Sequence, residues 1–285
     1  MQSALRGDPG QAAETGGSNM SEIRVFSFNI WTDGRADGGA SSGNPRCFAI
    51  RRELIRKNLP KYDPDIVGFQ ETMPAQRQWL IDTFTDYQVC GIGRDRDLQG
   101  ESNVVMFKKD KFDLVNLDTF WLSDTPHIPG TRFATDQSGC PRICTVVTLR
   151  RKEDGKLFRH YNTHLDHVGQ IAQAQGITMI LNRMAADYQT WPMPVVLTGD
   201  MNVTPENVVY KSIVNFAGLG TPLEDKTAEI PFSFHNFDPE KTHIKIDFVF
   251  STMDCDTSRS MTITDADENG VTMSDHYPVG AVLEL

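Results

Sequence analysis

Eight polar residues of this chain stand at or beside the ends of apolar runs, where ordinary surface residues are not expected. Asn29 follows VFSF, Glu71 follows DIVGFQ, His164 follows RHYNT, and Asp200 and Asn202 follow VVLTG. Asp247 lies inside KIDFVF, and Asp275 and His276 form a polar SDH just before YPVGAVLEL. Taken singly, each would be ordinary. Asn29 suits a turn after a strand, Asp200-Met201-Asn202 a turn before a helix, and Asp247 the exposed face of an alternating strand. Taken together they are not. Charged groups are seldom buried without a partner or a metal ion, and four acids, two asparagines and two histidines placed this way are hard to explain as surface.

The elements that must position these residues can be read from periodicity. IRVFSFNI (23–30) is a buried strand. A Gly/Ser-rich loop runs from Asp33 to Arg46, and residues 47–59 form a helix with Phe48, Leu54, Ile55 and Leu59 on one side. A strand over 65–70 ends at Glu71, and Thr72 is expected to cap a helix whose first turn holds Pro74. YQVCGIG, SNVVMFK, DLVNLDTFWLS, RICTVVTLR and KLFRHYNTH read as strands, the last two joined by a turn at Asp154-Gly155. A helix over 168–188 presents Ile171, Ala174, Ile177, Leu181 and Met184 at helical spacing. The strand MPVVLTG and a helix after Pro205 follow, and the end of the chain is all strand. Two sheets face to face with helices outside, in one domain over 21–285, is the expected arrangement.

The chain has 285 residues, 39% hydrophobic and 23% charged, with 28 basic against 38 acidic residues for a net charge of −10. That balance excludes a disordered or fibrous protein and argues against sequence-independent binding of duplex nucleic acid by charge alone. Five irregularly spaced cysteines argue against a disulfide framework and for a reducing, cytoplasmic setting. Cys140 and Cys144 have no second pair at zinc spacing. No apolar run approaches the ~20 residues of a membrane span. Residues 1–20, rich in Gly, Ala and Ser, read as a flexible tail, with Met20 an alternative start.

FNIW, FQE, NTHLDH, LTGDMN, IDFVF and SDHYP, in this order, resemble the endonuclease/exonuclease/phosphatase superfamily, the fold of deoxyribonuclease I. FWLSDTP and NTHLDHVG are similar to an uncharacterised, mainly microbial branch. The resemblance implies a four-layered α/β/β/α sandwich of two mixed, mainly antiparallel sheets, and divalent-metal-dependent cleavage of phosphoesters. Carried over, it makes Asn29, Glu71 and Asp275 metal-site residues, with Glu71 the main carboxylate ligand. Asp200 and Asn202 flank the attacked phosphate. His276 is the general base or a phosphate contact oriented by Asp247, and His164 is the second active-site histidine. Glu101 and Asn103, in GESNVVMF, and Arg142, in PRICTVV, fall on the substrate side. Mg²⁺, with Mn²⁺ as the alternative, suits such oxygen donors.

The superfamily hydrolyses many phosphoesters, so fold alone does not choose the substrate. Net acidity, and the lack of a basic run or an amphipathic basic helix, point to a monomer acting on a short or single-stranded nucleic acid or another small phosphodiester, away from membranes. The alternatives are a phosphomonoesterase for a sugar, nucleotide or inositol phosphate, and a non-catalytic binding module. A monoesterase needs extra cationic groups for the terminal oxygens, for which Arg142 is the one obvious candidate. The loops 33–46 and 123–140 are expected to overhang the site. Trp31 and Trp121 are candidates for stacking on a base or sugar, against an equal expectation of packing, and His167 is expected at the surface.

Overall fold

The run EIRVFSFN carries apolar groups on both faces, and it forms β1 (Glu22–Asn29), buried from Val25 onward. A strand buried on both faces needs a layer on each side. The computed structural model describes residues 22–32 and 46–285; the expected tail over 1–20 and nearly all of the loop from 33 to 46 lie outside them. β1 lies between β2 (Ile66–Gln70), to which it is parallel, and β13 (Val279–Glu284), to which it is antiparallel. β4 (Val105–Lys108) and β3 (Tyr87–Cys90) extend this sheet beyond β2, and β11 (Asp254–Cys255) and β12 (Met261–Thr262) pair with β13.

The second sheet runs β5 (Phe112–Trp121), β6 (Ile143–Arg151), β7 (Leu157–His164), β8 (Val195–Asp200), β10 (Asp247–Ser251) and β9 (Glu224–Asp225). Only its β7–β8 pair is parallel. α1 (Phe48–Asn58) and α2 (Pro74–Thr83) cover the outer face of the first sheet, where Phe48, Ile55 and Leu80 pack with Phe26, Phe28 and Phe69. α3 (Gln170–Thr190) and α4 (Val208–Val214) cover the second, through Ile177, Ile180, Met184 and Ile213 against Leu197, Phe248 and Phe250. The result is the expected α/β/β/α sandwich of mixed, mainly antiparallel sheets.

The space between the sheets is stratified, and the period-2 alternation of the strands produces the strata. Ile23, Val25, Ile66, Phe158, Val196 and Val249 form an apolar layer at one end. Two to four residues further along these strands the inward side chains turn polar: Ser27, Gln70, Asn162 and Thr198. Gln70 Nε2 donates to Asn162 Oδ1 at 2.8 Å and to Ser27 Oγ at 3.2 Å, and Thr198 Oγ1 donates to Asn162 Oδ1 at 3.0 Å. Asn162 Nδ2 donates across the gap to the carbonyls of Phe69 (2.8 Å) and Val104 (3.0 Å). The sheets approach so closely here that a Cβ on Gly68 would fall 2.2 Å from Thr198 Oγ1. Beneath them His160 Nε2 meets Thr198 Oγ1 at 2.6 Å, and burial pushes its imidazole down to about 3. One step further lie Asn29, His164 and Asp200.

Three local expectations are corrected. Thr72 does not cap α2; it pairs with Ser102, and the cap is Met73, whose N–H is accepted by Gln76 Oε1 at 2.8 Å. α3 begins at Gln170, because Asp166 Oδ1 draws the Val168 and Gly169 N–H groups into a turn. Ile171 is 55% exposed, while Ala172, Ile177, Ile180, Leu181 and Met184 make the buried face.

Asn162→Leu keeps the volume but removes the acceptor shared by the Gln70 amide and the Thr198 hydroxyl and the donor to two carbonyls, all in the closed interior. At 1–3 kcal/mol for each buried group left unsatisfied, we expect a loss of about 3 kcal/mol in urea unfolding. A loss below about 1 kcal/mol would show that the polar layer does not hold the sheets together.

Candidate active site

Strand pairing brings the acids together before any loop does. His164 stands opposite Asp200 in the β7–β8 pair, and Asp200 opposite Asp247 in the β8–β10 pair, so all three share one rung of the second sheet. From the first sheet, Asn29 Nδ2 reaches across to Asp200 Oδ2 (2.9 Å) and to Glu71 Oε1 (3.1 Å). Glu71 follows β2 with a φ of 59°, a left-handed turn that ends the strand, and its Oε2 accepts the Thr32 N–H at 3.0 Å. Ser274 Oγ donates to the Asn29 carbonyl at 2.7 Å, fastening Asp275 and His276 to the same end.

His276 Nδ1 lies 2.7 Å from Asp247 Oδ2, and its Nε2 lies 3.9 Å from both Asp200 Oδ2 and Asp275 Oδ1. Burial opposes the imidazolium, but Asp247, with Asp200 and Asp275, outweighs it and raises the group to about 10. Burial, and then Asp247, push Asp200 up to about 7. Burial raises Asp275 as well, with a smaller push from Glu71. His164 Nε2 lies 3.4 Å from Asp200 Oδ2; burial, then Arg142 and Arg94, hold it well below the usual histidine range. Asp247, for which an exposed strand face was an open reading, is completely buried, and its Oδ1 has no hydrogen-bond partner.

Asp200, Asp247 and His276 each offer a ligand atom within 4.8 Å of the others, a set able to hold a divalent cation. The orphaned Asp247 oxygen and the crowding of buried acids fit such an ion, which would favour their ionised forms. A cleft of about 330 Å³ opens over this ground, lined by Glu71, Asp200, Asn202, His164, Asp275 and His276. Asn202 enters it with a φ of 51°, its N–H held by Asp200 Oδ1 at 2.9 Å.

The opposite wall is cationic. Arg142 is 4% exposed; its Nη2 meets His167 Nδ1 at 2.8 Å and its Nε lies 3.7 Å from Asp166 Oδ2, while neither Nε nor Nη1 has a hydrogen-bond partner. Arg94 stands beside it, paired to Glu101 at 2.7 Å. Arg94 escapes a reading of the sequence because RDRD looks like a solvated charge run. Cys140 and Phe234 also line the cleft and also carry no sequence signal. His167 is exposed, as expected, but at the cleft rim. Asn103 is placed away from the cleft, its amide donating to the Ile143 carbonyl at 2.8 Å. Trp121 is 3% exposed with its Nε1 on the Arg94 carbonyl, so it packs. Trp31 lines the cleft beneath the Arg51 guanidinium, 4.8 Å from its ring.

The loop over 123–140 leads into this cationic wall, and two acids pin it. Asp166 accepts from the Ser138 N–H and hydroxyl and from the Val168 and Gly169 N–H groups. Asp136 caps the start of α3 by accepting from the Ile171 (3.0 Å) and Ala172 (2.9 Å) N–H groups.

The sequence profile of the Endonuclease/Exonuclease/phosphatase family matches residues 26–276. The chain belongs to that family. Among solved structures it is similar to a family protein from Bacteroides vulgatus at 30% identity, over 93% of this chain and 99% of that one, with a TM-score of 0.77. A second family protein, from Bacteroides thetaiotaomicron, is 28% identical over 92% of this chain and 97% of that one (TM-score 0.76). A mannosyl-6-phosphatase from Bacteroides thetaiotaomicron is 28% identical over 91% of this chain and 98% of that one (TM-score 0.75). No curated protein sequence matches the chain. With the family shown and a divalent-cation set at the strand ends, the protein is a metal-dependent phosphoesterase. Among the described residues no helix is long and apolar enough to cross a membrane.

Burial raises the Asp166 carboxyl, but the N–H groups of Gly169, Val168 and Ser138 and the Ser138 hydroxyl outweigh it and lower it to about 2. A carboxylate depressed in the folded state adds stability above its unfolded value of about 3.9, and loses it as pH falls through about 2. Asp166→Asn should cost about 1–3 kcal/mol at pH 6. In urea unfolding at several pH values, the gap between the two proteins should close between about pH 4 and pH 2. A gap independent of pH would show that the charge of Asp166 contributes nothing to stability.

Proposed function

We propose that the chain is a phosphatase for a small phosphomonoester, a sugar phosphate foremost, with Mg²⁺ as its ion. The observation that carries this is the cationic wall. The terminal phosphoryl group of a monoester has three non-bridging oxygens to satisfy, one more than a diester, and Arg142 offers two buried donors without a hydrogen-bond partner, held in place by the Asp166 carboxylate, with Arg94 beside it. The 330 Å³ cleft suits a small group better than a polymer. The similarity to a mannosyl-6-phosphatase along nearly the whole of both chains supports the same reading.

We place Mg²⁺ on Glu71, Asn29 and Asp275, where every donor is oxygen; Asp200, Asp247 and His276 are the competing seat. When bound, the ion neutralises charge on a phosphoryl oxygen and on the leaving oxygen. The remaining roles fall to the chain's own groups. Arg142 and Arg94 hold the non-bridging oxygens, joined by His164 and Asn202. Asp200 orients the attacking water, and His276, held by Asp247 in one orientation, moves a proton at Nε2. All of these groups come from one chain, which supports action as a monomer. Five free cysteines support a reducing, cytoplasmic setting.

The deciding assay is hydrolysis of p-nitrophenyl phosphate and bis-p-nitrophenyl phosphate side by side, with Mg²⁺, Mn²⁺ or EDTA. We expect metal-dependent preference for the monoester, and Arg142→Ala should cut its kcat/KM about 10²–10³-fold. Dominant diester cleavage would return the assignment to a phosphodiesterase, with short single-stranded oligonucleotides the next substrates.

Asp200→Ala and His276→Ala should each lower turnover by about 10²–10⁴ without unfolding the protein. Glu71→Gln should chiefly raise the metal concentration for half-maximal activity. If Asp247→Asn raises it and Glu71→Gln does not, the ion sits on the Asp200 cluster.

A further inference from the structure

A second cavity, of about 550 Å³, is lined by chain segments that also border the cleft, and the phosphoryl chemistry uses none of its groups. Two chain segments line both. Asn202 borders the cleft and Thr204 and Pro205 the cavity; Ile246 borders the cleft and Ile244 and Lys245 the cavity. Two residues of extended chain, about 7 Å, separate Ile246 from Ile244.

At the cavity lies a buried ion pair. Lys245 Nζ, 8% exposed, donates to Asp225 Oδ2 at 3.2 Å and to the Thr227 carbonyl at 2.6 Å. An ammonium has three N–H groups, so one makes no hydrogen bond here; the ammonium also lies 5.2 Å from the centre of the Phe248 ring. Tyr210 donates its hydroxyl to the same Asp225 oxygen at 3.1 Å and keeps its phenolic oxygen as an acceptor. Glu206 adds an exposed carboxylate, and Ile230, Pro231, Pro205 and Ile244 supply apolar wall. Lys245 is balanced by Asp225, His243 lines the cavity against the Phe232 ring, and Glu206 adds a carboxylate that disfavours a second phosphate. A spare donor, several acceptors and apolar faces, with no cationic surplus, match a neutral ring bearing hydroxyl groups.

We infer that this cavity is a subsite for a second sugar unit, so that the preferred substrate carries its phosphate on a disaccharide or longer glycan. The inference rests on the phosphomonoesterase reading for the cleft and assigns the cavity to the leaving group. The subsite binds in the ground state, so its contribution falls on KM.

The test compares glucose 6-phosphate with trehalose 6-phosphate in Mg²⁺, using the wild-type chain, Lys245→Met and Ile244→Trp. The second variant fills the cavity from a partly exposed position, and so stands if loss of Lys245 unfolds the protein by stranding Asp225. We expect kcat/KM about tenfold higher for the disaccharide phosphate, the scale of one or two hydrogen bonds, all of it in KM. Both variants should erase that preference and leave p-nitrophenyl phosphate turnover unchanged. Equal kcat/KM for the two sugars, with p-nitrophenyl phosphate cleaved, overturns the subsite and leaves the phosphatase standing. If no monoester is cleaved the phosphatase reading falls, and unphosphorylated trehalose judges the subsite alone by amide NMR. Shifts at Tyr210 and Lys245 that Ile244→Trp abolishes support it, and their absence overturns it.

Discussion

Asp200 is the point on which both sheets converge. Its Oδ2 takes the Asn29 amide from one sheet and faces the His164 and His276 rings from the other side, while its Oδ1 holds the chain at Asn202. A carboxylate placed there, with Asp247 opposite it, is expensive unless cations and donors surround it. The molecule meets that demand with a layered interior. Apolar groups fill the far end, uncharged amides and hydroxyls the middle, and ionisable groups the rim. Each step is two or four residues along the same strands, so backbone pairing meters the change in polarity.

A second constraint is the mismatch between global and local charge. The chain carries −10, yet one wall of its cleft is cationic. Acidity on the metal side and guanidinium on the other make a dipolar slot, which favours an anion that can bridge a bound cation and the arginines. Asp166 and Asp136 bind backbone N–H groups and fix the loop that ends at Arg142, and Asp166 also lies 3.7 Å from the Arg142 Nε. With that loop fixed and Asp166 and His167 against its guanidinium, a side chain as long as Arg142 stays in place with Nη1 still without a hydrogen-bond partner.

Much of this could be read from residue order. Asn29, Glu71, His164, Asp200, Asp247, Asp275 and His276 stand out because a polar group that closes an apolar strand is carried to the rim of the core, where a partner or an ion must stabilise it. The layer order followed from hydrophobic period. Arg94 and Cys140 stayed hidden because their loops look solvated, and only tertiary folding turns them inward. Thr72 looked like a cap because its type suits one, but pairing with Ser102 was the stronger claim on its backbone. Asn103 followed the motif in sequence, yet the Ile143 carbonyl takes its amide. Ile171 matched a helical period whose phase is set by the sheet beneath, and short-range pattern does not encode that phase.

The missing side chain at Gly68 has a consequence for how such a chain can diverge. The space its Cβ would fill belongs to Thr198 and Asn162 of the facing sheet, and Asn162 in turn satisfies Gln70. None of the four can change freely alone: a bulkier residue at 68 strikes Thr198, and a shorter one at 162 takes away an acceptor that Gln70 and Thr198 share. They must drift as a block or stay as they are. The loops at the rim carry no such debt, so specificity can wander there while the strand ends beneath keep their spacing.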